Sequence, residues 1–474
     1  MPDADTLALE LGRFVDEFDL NDVPAEVVTH ARHLLLDSLA VTLGGTRLDQ
    51  ARLVTEFWSA RGGAAEATVP GAESKLPATT AAYLNGYLAN LLDYDDTYSG
   101  RAIGHPGATV VPPALAVAEA HDADAREFLE AVLVGYEVSI RIGDAIMPTP
   151  ERSREVVGTG TWQVFGGAAA TAKLLDCAPE AVADALGLAA MNAPVPLVRK
   201  VGIEAERFQW LKNNYGWACL GGVLAGELAA TGFRGSRDVF DGPRGFWRMA
   251  ASDSFDESVL RRPLDEWYAV ADVSFKPYSS CRWTHAALDC VRELTAEGGV
   301  DPAAVERVDV ETFHEGAALD SVPETVLDAQ FSMPFVVAVS LLGYRPGFEW
   351  LSPERLSDPR VRALMERVRV TADEAMSERY DSTGRMAASV TLHLTDGTER
   401  SARTDDPRGD PETPLPYEAV REKYRDLVVP LLGETAAADL ESAVLAVPND
   451  GSVRSLAEPL AGVPIDAFGA SADD

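Results

Sequence analysis

Between Leu91 and Gly107 the chain reads LLDYDDTYSGRAIGHPG, which sets three carboxylates (Asp93, Asp95, Asp96), a hydroxyl (Thr97) and an imidazole (His105) into an otherwise apolar region. A second group lies in FKPYSSCRWTHAALDC, residues 275–290, where Lys276, Arg282 and His285 fall within ten residues at what reads as the start of a helix. Cations beside a helix N-terminus suit a substrate carboxylate, and a salt-bridged surface turn is the plainer alternative. A third group is Gly158-Thr159-Gly160-Thr161, a turn rich in backbone donors where a helix begins, able to cradle a carboxylate or phosphate. Lys212 stands apart in FQWLKNNYGWACLGG.

Carboxylates, the Thr97 and Thr159 hydroxyls, His105 and the cations Lys212, Lys276 and Arg282 together suit proton abstraction beside a carboxylate. Cations would stabilise the enolate-like charge and an acid would assist a leaving group. The chain has no GxSxG, HExxH, Walker loop or Rossmann fingerprint, so the expectation is acid–base chemistry on a small anionic molecule with neither cofactor nor metal.

The elements that must position these groups follow from periodicity. AAYLNGYLAN before the acidic stretch and ATVVPPALAVAEA after it read as buried helices. Gly104-His105-Pro106-Gly107 and the carboxylates can continue neither, which predicts a loop at the mouth of a helical core. Further helices are expected over 7–18, 24–44, 51–60, 124–147, 157–175, 179–192 and 206–231, and a buried strand over AVADVSF, 269–275. His30 and His33 fall on the second helix and read as packing residues.

After Pro263 the texture changes: 304–313, 365–373 and 386–404 alternate apolar and polar residues, with Asp396-Gly397 as a hairpin turn, around an apolar helix over 330–343. From Tyr417 the helical period returns as a hairpin that cannot bury its own stripe and must rejoin the first part.

Composition narrows the partners. With 75 acidic and 41 basic residues the net charge of −34 repels nucleic acid and anionic membranes. Only six lysines occur (75, 173, 200, 212, 276, 423), which suggests a salt-adapted, halophilic cytoplasm and makes each lysine informative. No run of eighteen apolar residues appears and the start is acidic, so a cytoplasmic protein is expected. Four cysteines without CxxC spacing read as reduced, and 474 residues favour two domains.

The stretches LLDYDDTYSGRAIGHPGATVVPPALA, GTGTWQVFGGAAATAKLL, KPYSSCRWTHAALD and AQFSMPFVVAVSLLG resemble successive motifs of the MmgE/PrpD family, which includes 2-methylcitrate dehydratase, cis-aconitate decarboxylase and iminodisuccinate epimerase. The resemblance implies a mainly α fold and a homodimer: a large all-helical domain from 1–266 and 412–474, and a smaller α+β lid domain over 267–411. It places Asp93, Thr97 and His105 in the pocket, with Lys276 and His285 from the KPYSSC motif and its sequel. Lys212 matches the family's other lysine, one residue short in its spacing to Gly216-Trp217.

Two departures matter. Val157 stands where the family commonly has a histidine, and Phe335 where the decarboxylase branch has a tyrosine; both remove a proton donor. The expectation is therefore a 2-methylcitrate dehydratase-like hydro-lyase acting on a di- or tricarboxylate, using Asp93, Thr97, His105, Lys212 and Lys276, with Thr159, Arg282 and His285 holding substrate. The alternatives are an iminodisuccinate-type epimerase, a cis-aconitate decarboxylase-like enzyme and an inactive carboxylate-binding relative. Two plainer rivals concern the aspartates alone: a magnesium cluster like that of isoprenoid synthases, and a solvated acidic surface.

Overall fold

The computed structural model describes residues 5–157, 159–198, 212–296, 299–449 and 452–465, with backbone only at 157, 159 and 198. In its first half the chain makes helices apolar on nearly all sides, which forces them inward. Helix α4 (Ala78–Leu91) is buried continuously from Ala81, and α5 (Gly107–Ala120) and α6 (Ala125–Ala145) are buried along most of their lengths. They pack with α8 (Thr159–Leu174), α9 (Pro179–Asn192) and α10 (Asn213–Ala230), flanked by α1 (Leu7–Glu17), α2 (Ala25–Gly45), α3 (Asp49–Ser59) and the short α7 (Pro150–Ser153). Small residues set the spacing: a Cβ at Gly222 would stand 2.8 Å from the Val164 carbonyl oxygen, so α10 lies backbone to backbone on α8.

Helix α5 begins earlier than its prolines suggest. Pro112 cannot donate to the Ala108 carbonyl, and the Cys219 thiol on α10 supplies that hydrogen bond at 3.3 Å. The four cysteines are all free, His30 Nε2 donates to the Val273 carbonyl at 3.1 Å, and His33 stacks on Tyr417.

The later part is α+β. A sheet of order β7-β6-β8-β9 contains β6 (Val305–Thr312), β7 (Val368–Ala372), β8 (Ala388–Leu394) and β9 (Glu399–Thr404), with β6–β7 parallel and the other pairs antiparallel. Gly397, at φ 83°, makes the expected turn between β8 and β9. Helix α11 (His285–Ala296) covers β8 and β9 and meets α12 (Met333–Leu341), whose start is fixed by Ser332 accepting from the Phe335 N–H. The molecule is thus mainly α with a smaller α+β part.

The predicted strand over 269–275 is instead a 3-10 turn at Ala269–Asp272 followed by the two-residue β5 (Val273–Ser274). The buried Glu137 carboxylate, accepting from Val270 N–H, holds that turn. Helix α13 (Tyr417–Ala446) breaks at Gly433, φ 78°, into two arms and packs on α2. The small sheet that matters most has order β2-β1-β5 and joins β1 (Thr97–Ser99), β2 (Ile103–Gly104) and β5. A two-residue pair, β3 (Val156–Val157) with β4 (Leu197–Val198), completes the strands among the described residues. No helix among them is long and apolar enough to cross a membrane.

Candidate active site

The small sheet brings the sequence groups together. Thr97 pairs with Ser274 in antiparallel register, so Asp95 and Lys276, each two residues further along, converge beyond the sheet. Tyr98 pairs with Gly104, which carries His105 back alongside Thr97. Helix α6 fastens this hairpin: Asp144 accepts from the Tyr98 hydroxyl at 2.8 Å and from Ala102 N–H at 2.7 Å.

After α4 the chain turns at Asp93, φ 50°, a left-handed conformation aspartate tolerates better than most residues. Backbone carbonyls around this turn accept side-chain donors: Leu91 from Gln330 (2.7 Å), Asp93 from Lys276 (2.9 Å), Tyr94 from Lys423, and Asp96 from His105 (2.8 Å). The expected loop at a mouth is a buried loop: Asp93, Asp95, Asp96 and Thr97 are at most 3% exposed. That overturns the reading of these aspartates as a solvated acidic surface, because each has a partner that offsets its desolvation.

The Asp93 carboxylate lies between two fully buried ammonium groups, 2.8 Å from Lys212 Nζ and 3.3 Å from Lys276 Nζ. Burial alone would raise its pKa, but Lys212, Lys276 and His105 outweigh that and hold it well below the usual carboxylate range. Lys212 sits at the N-cap of α10 with its Nζ 5.4 Å from the centre of the Phe331 ring.

His105 Nδ1 is 2.8 Å from the Asp96 carbonyl, 3.3 Å from Thr97 Oγ1 and 3.5 Å from an Asp95 carboxylate oxygen. A carbonyl accepts only, so Nδ1 carries the hydrogen and Nε2 carries the lone pair. Nε2 has no hydrogen-bond partner among the described residues, and the side chain keeps 13% exposure. Burial is the largest influence and lowers the imidazole pKa, Asp95 opposes it, and Lys276 reinforces it. The outcome is a neutral base whose Nε2 is not engaged by the described residues, its ring centre 5.6 Å from that of Tyr215 in a T-shaped pair.

Asp95 accepts both Asn90 Nδ2 contacts, at 3.1 and 2.9 Å. Asp96 accepts from Tyr136 at 2.6 Å and Gly107 N–H at 2.9 Å, and burial pushes its pKa up to about 7. The three aspartates therefore face three different partners, and no group of three His, Cys, Asp or Glu among the described residues could hold a metal ion, which removes the basis for the magnesium-cluster reading.

Arg282 and His285, expected to hold substrate, also make a set of internal hydrogen bonds. The Arg282 guanidinium donates to Asp410 (2.6 Å), to the Arg408 and Pro407 carbonyls and to His285 Nδ1 (2.8 Å), while His285 Nε2 reaches the Ser280 carbonyl. Arg282 pins the Pro407–Asp410 turn to the start of α11 while its buried Nε has no hydrogen-bond partner, and burial with Arg282 alongside keeps His285 neutral. Thr159 opens α8, and its side chain, Gly158 and the Val157 side chain lie outside the described residues. Phe335 is fully buried within α12. Sequence reasoning missed Tyr136, Gln163, which accepts from His105 N–H at 3.1 Å, and Lys423. Lysine scarcity was the available signal for Lys423.

A cavity of about 490 Å³ opens between the helical and α+β parts, with Ile103, Trp162, Trp283 and Tyr380 in its wall. The turn of the hairpin borders it at Gly100, Arg101 and Ile103, but Asp93, Lys212 and Lys276 do not line it; Trp162 packs against the hairpin at Gly104, where a Cβ would lie 2.5 Å from the indole. The Arg154–Asp381 ion pair joins the two parts beside it.

Comparison with known proteins adds a lineage to this geometry. The MmgE/PrpD N-terminal domain matches residues 9–258 and the MmgE/PrpD C-terminal domain residues 278–448. A cis-aconitate decarboxylase of Aspergillus terreus is 24% identical over 95% of this chain and 95% of its own length. Those of Mus musculus and Homo sapiens are 25% and 26% identical, over 86% and 84% of this chain and 83% of each relative.

Proposed function

The chain belongs to the MmgE/PrpD family, and from that premise we propose that it is a lyase, acting without a cofactor on a small di- or tricarboxylate, as a hydro-lyase of the 2-methylcitrate dehydratase kind. The observation that carries this is the His105 tautomer, with Nδ1–H committed to a carbonyl and Nε2 left as a base. Elimination of water begins with removal of a proton beside a carboxylate, which a neutral imidazole does and a proton donor does not.

In this reading a substrate carboxylate shares Lys212 and Lys276 with Asp93, and those ammonium groups stabilise the charge that develops as the C–H bond breaks to Nε2. The imidazolium so formed hands the same proton to the departing hydroxyl, giving water, a double bond and the neutral imidazole again. Thr97 and Asp95 steady the ring during the transfer. The relatives' names support a second reading, cleavage of a C–C bond with loss of carbon dioxide. A homodimer and a cytoplasmic location belong to the same proposal.

The test is proton NMR in heavy water with 2-methylcitrate, cis-aconitate and iminodisuccinate. Replacement of the 2-methylcitrate methyl doublet by the singlet of a methyl group on a double bond supports the hydro-lyase. Loss of carbon dioxide from cis-aconitate selects the second reading, and deuterium entering an intact iminodisuccinate selects an epimerase instead. Silence with all three sinks the assignment.

A further inference from the structure

Three of the six lysines, Lys212, Lys276 and Lys423, are buried around the same loop, in a chain whose other cations are nearly all arginine. The mechanism above uses two of them. The third arrives from α13, and its ammonium group stands 2.6 Å from Asp37 of α2, donates to the Tyr94 carbonyl and lies 4.1 Å from the centre of the Tyr94 ring. Tyr94 is the residue between Asp93 and Asp95, and its hydroxyl donates to the Pro277 carbonyl at 3.2 Å, next to Lys276.

We propose that Lys423 is a positioning residue for this site, fixing Tyr94 so that Asp93 and Asp95 are held toward the lysines and His105. The inference rests on the proposed function for its kinetic part and on geometry alone for the rest. A peptide has two faces, and here the carbonyl of residue 93 is held by Lys276 while that of residue 94 is held by Lys423. With both fixed, the left-handed turn at Asp93 has little freedom, and its carboxylate stays between Lys212 and Lys276. A compact ammonium does this where an arginine fork would bring more donors than two oxygens can satisfy. Asp37 supplies the compensating charge, and Asp95 and Lys276 are the other charged groups acting on the pair.

The role separates from mere support of the fold. A structural pair can be replaced by apolar residues of similar size without loss, whereas a positioning donor cannot. The experiment uses the full chain with Lys423→Met and the double change Asp37→Leu with Lys423→Met. Hydrogen exchange is read by mass spectrometry, and turnover with whichever of 2-methylcitrate, cis-aconitate or iminodisuccinate the wild type converts. We expect amides 93–97 to exchange about tenfold faster in the double variant, which leaves no unpaired buried charge, while α2 and α13 keep their protection. The double variant should regain the wild-type melting temperature yet show kcat lower by about tenfold to a hundredfold with KM little changed. Wild-type kcat in the double variant, or exchange that accelerates equally along α2 and α13, overturns the proposal. If the wild type converts none of the three acids, the functional reading fails, and the exchange of amides 93–97 still decides the role of Lys423.

Discussion

His105 owes its proposed chemistry to one bond: because Nδ1–H points at the Asp96 carbonyl, only Nε2 can receive a proton. Replacing it by glutamine should lower kcat by about 10²–10⁴-fold in the NMR assay with the fold intact; undiminished turnover would take the imidazole out of the mechanism. Burial holds its pKa below 6.5, so kcat/KM should rise with pH through a midpoint on the acid side of that value. Asp95 acts against burial, and the Asp95→Asn variant should therefore move the midpoint lower still. A midpoint unchanged in that variant would mean the 3.5 Å contact carries no charge coupling. Asp93 is the mirror case, an ionised group surrounded by cations, and truncating Lys212 to methionine should cost about 3–5 kcal/mol by leaving that charge half-compensated.

The chain that presents His105 runs from the hairpin into α5 at Gly107, where there is no room for a side chain. A Cβ at Gly107 would meet an Asp96 carboxylate oxygen at 2.4 Å and the Tyr136 hydroxyl at 2.7 Å. Gly107→Ala should thus destabilise by about 1–3 kcal/mol and slow turnover through displacement of Asp96, checked by thermal melts beside the rate. Asp96 itself has a folded pKa of about 7 against an ordinary 3.8. Between those values the folded state holds a proton that the unfolded chain has released, so this group's contribution falls as pH rises from about 4 to about 7. Asp96→Asn should therefore gain melting temperature relative to the wild type across that window, and parallel melting curves would show that Asp96 is already ionised throughout.

At the scale of the whole molecule, a net charge of −34 repels itself across the surface while the ion pairs of the site lie shielded inside. Salt should act on the two differently. Melting temperature should climb as sodium chloride goes from about 0.1 M toward 1 M, where the screening length shrinks from about 10 to 3 Å. The pH midpoint of turnover should hardly move over the same range. A melting temperature indifferent to salt would count against a salt-adapted surface.

Periodicity alone was enough for the long helices, the β8–β9 hairpin and the change of texture after Pro263, because local patterns encode local structure. Residue type and rarity likewise marked Asp93, His105, Lys212 and Lys276 as chemically unusual. What the pattern could not show was which of these would meet. The segment 269–275 looked like a strand, yet only two residues extend, since Glu137 from α6 captures the turn before them. Arg282 binds Asp410 and the carbonyls beside it, and His285 binds Arg282 and the Ser280 carbonyl, partners that their spacing alone does not reveal. Lys423 lies 329 residues from the Tyr94 carbonyl it binds. Sequence determined which groups could exchange protons; only the tertiary fold decided their partners, because hydrogen bonds and ion pairs depend on distance in space, which a linear spacing across hundreds of residues does not contain.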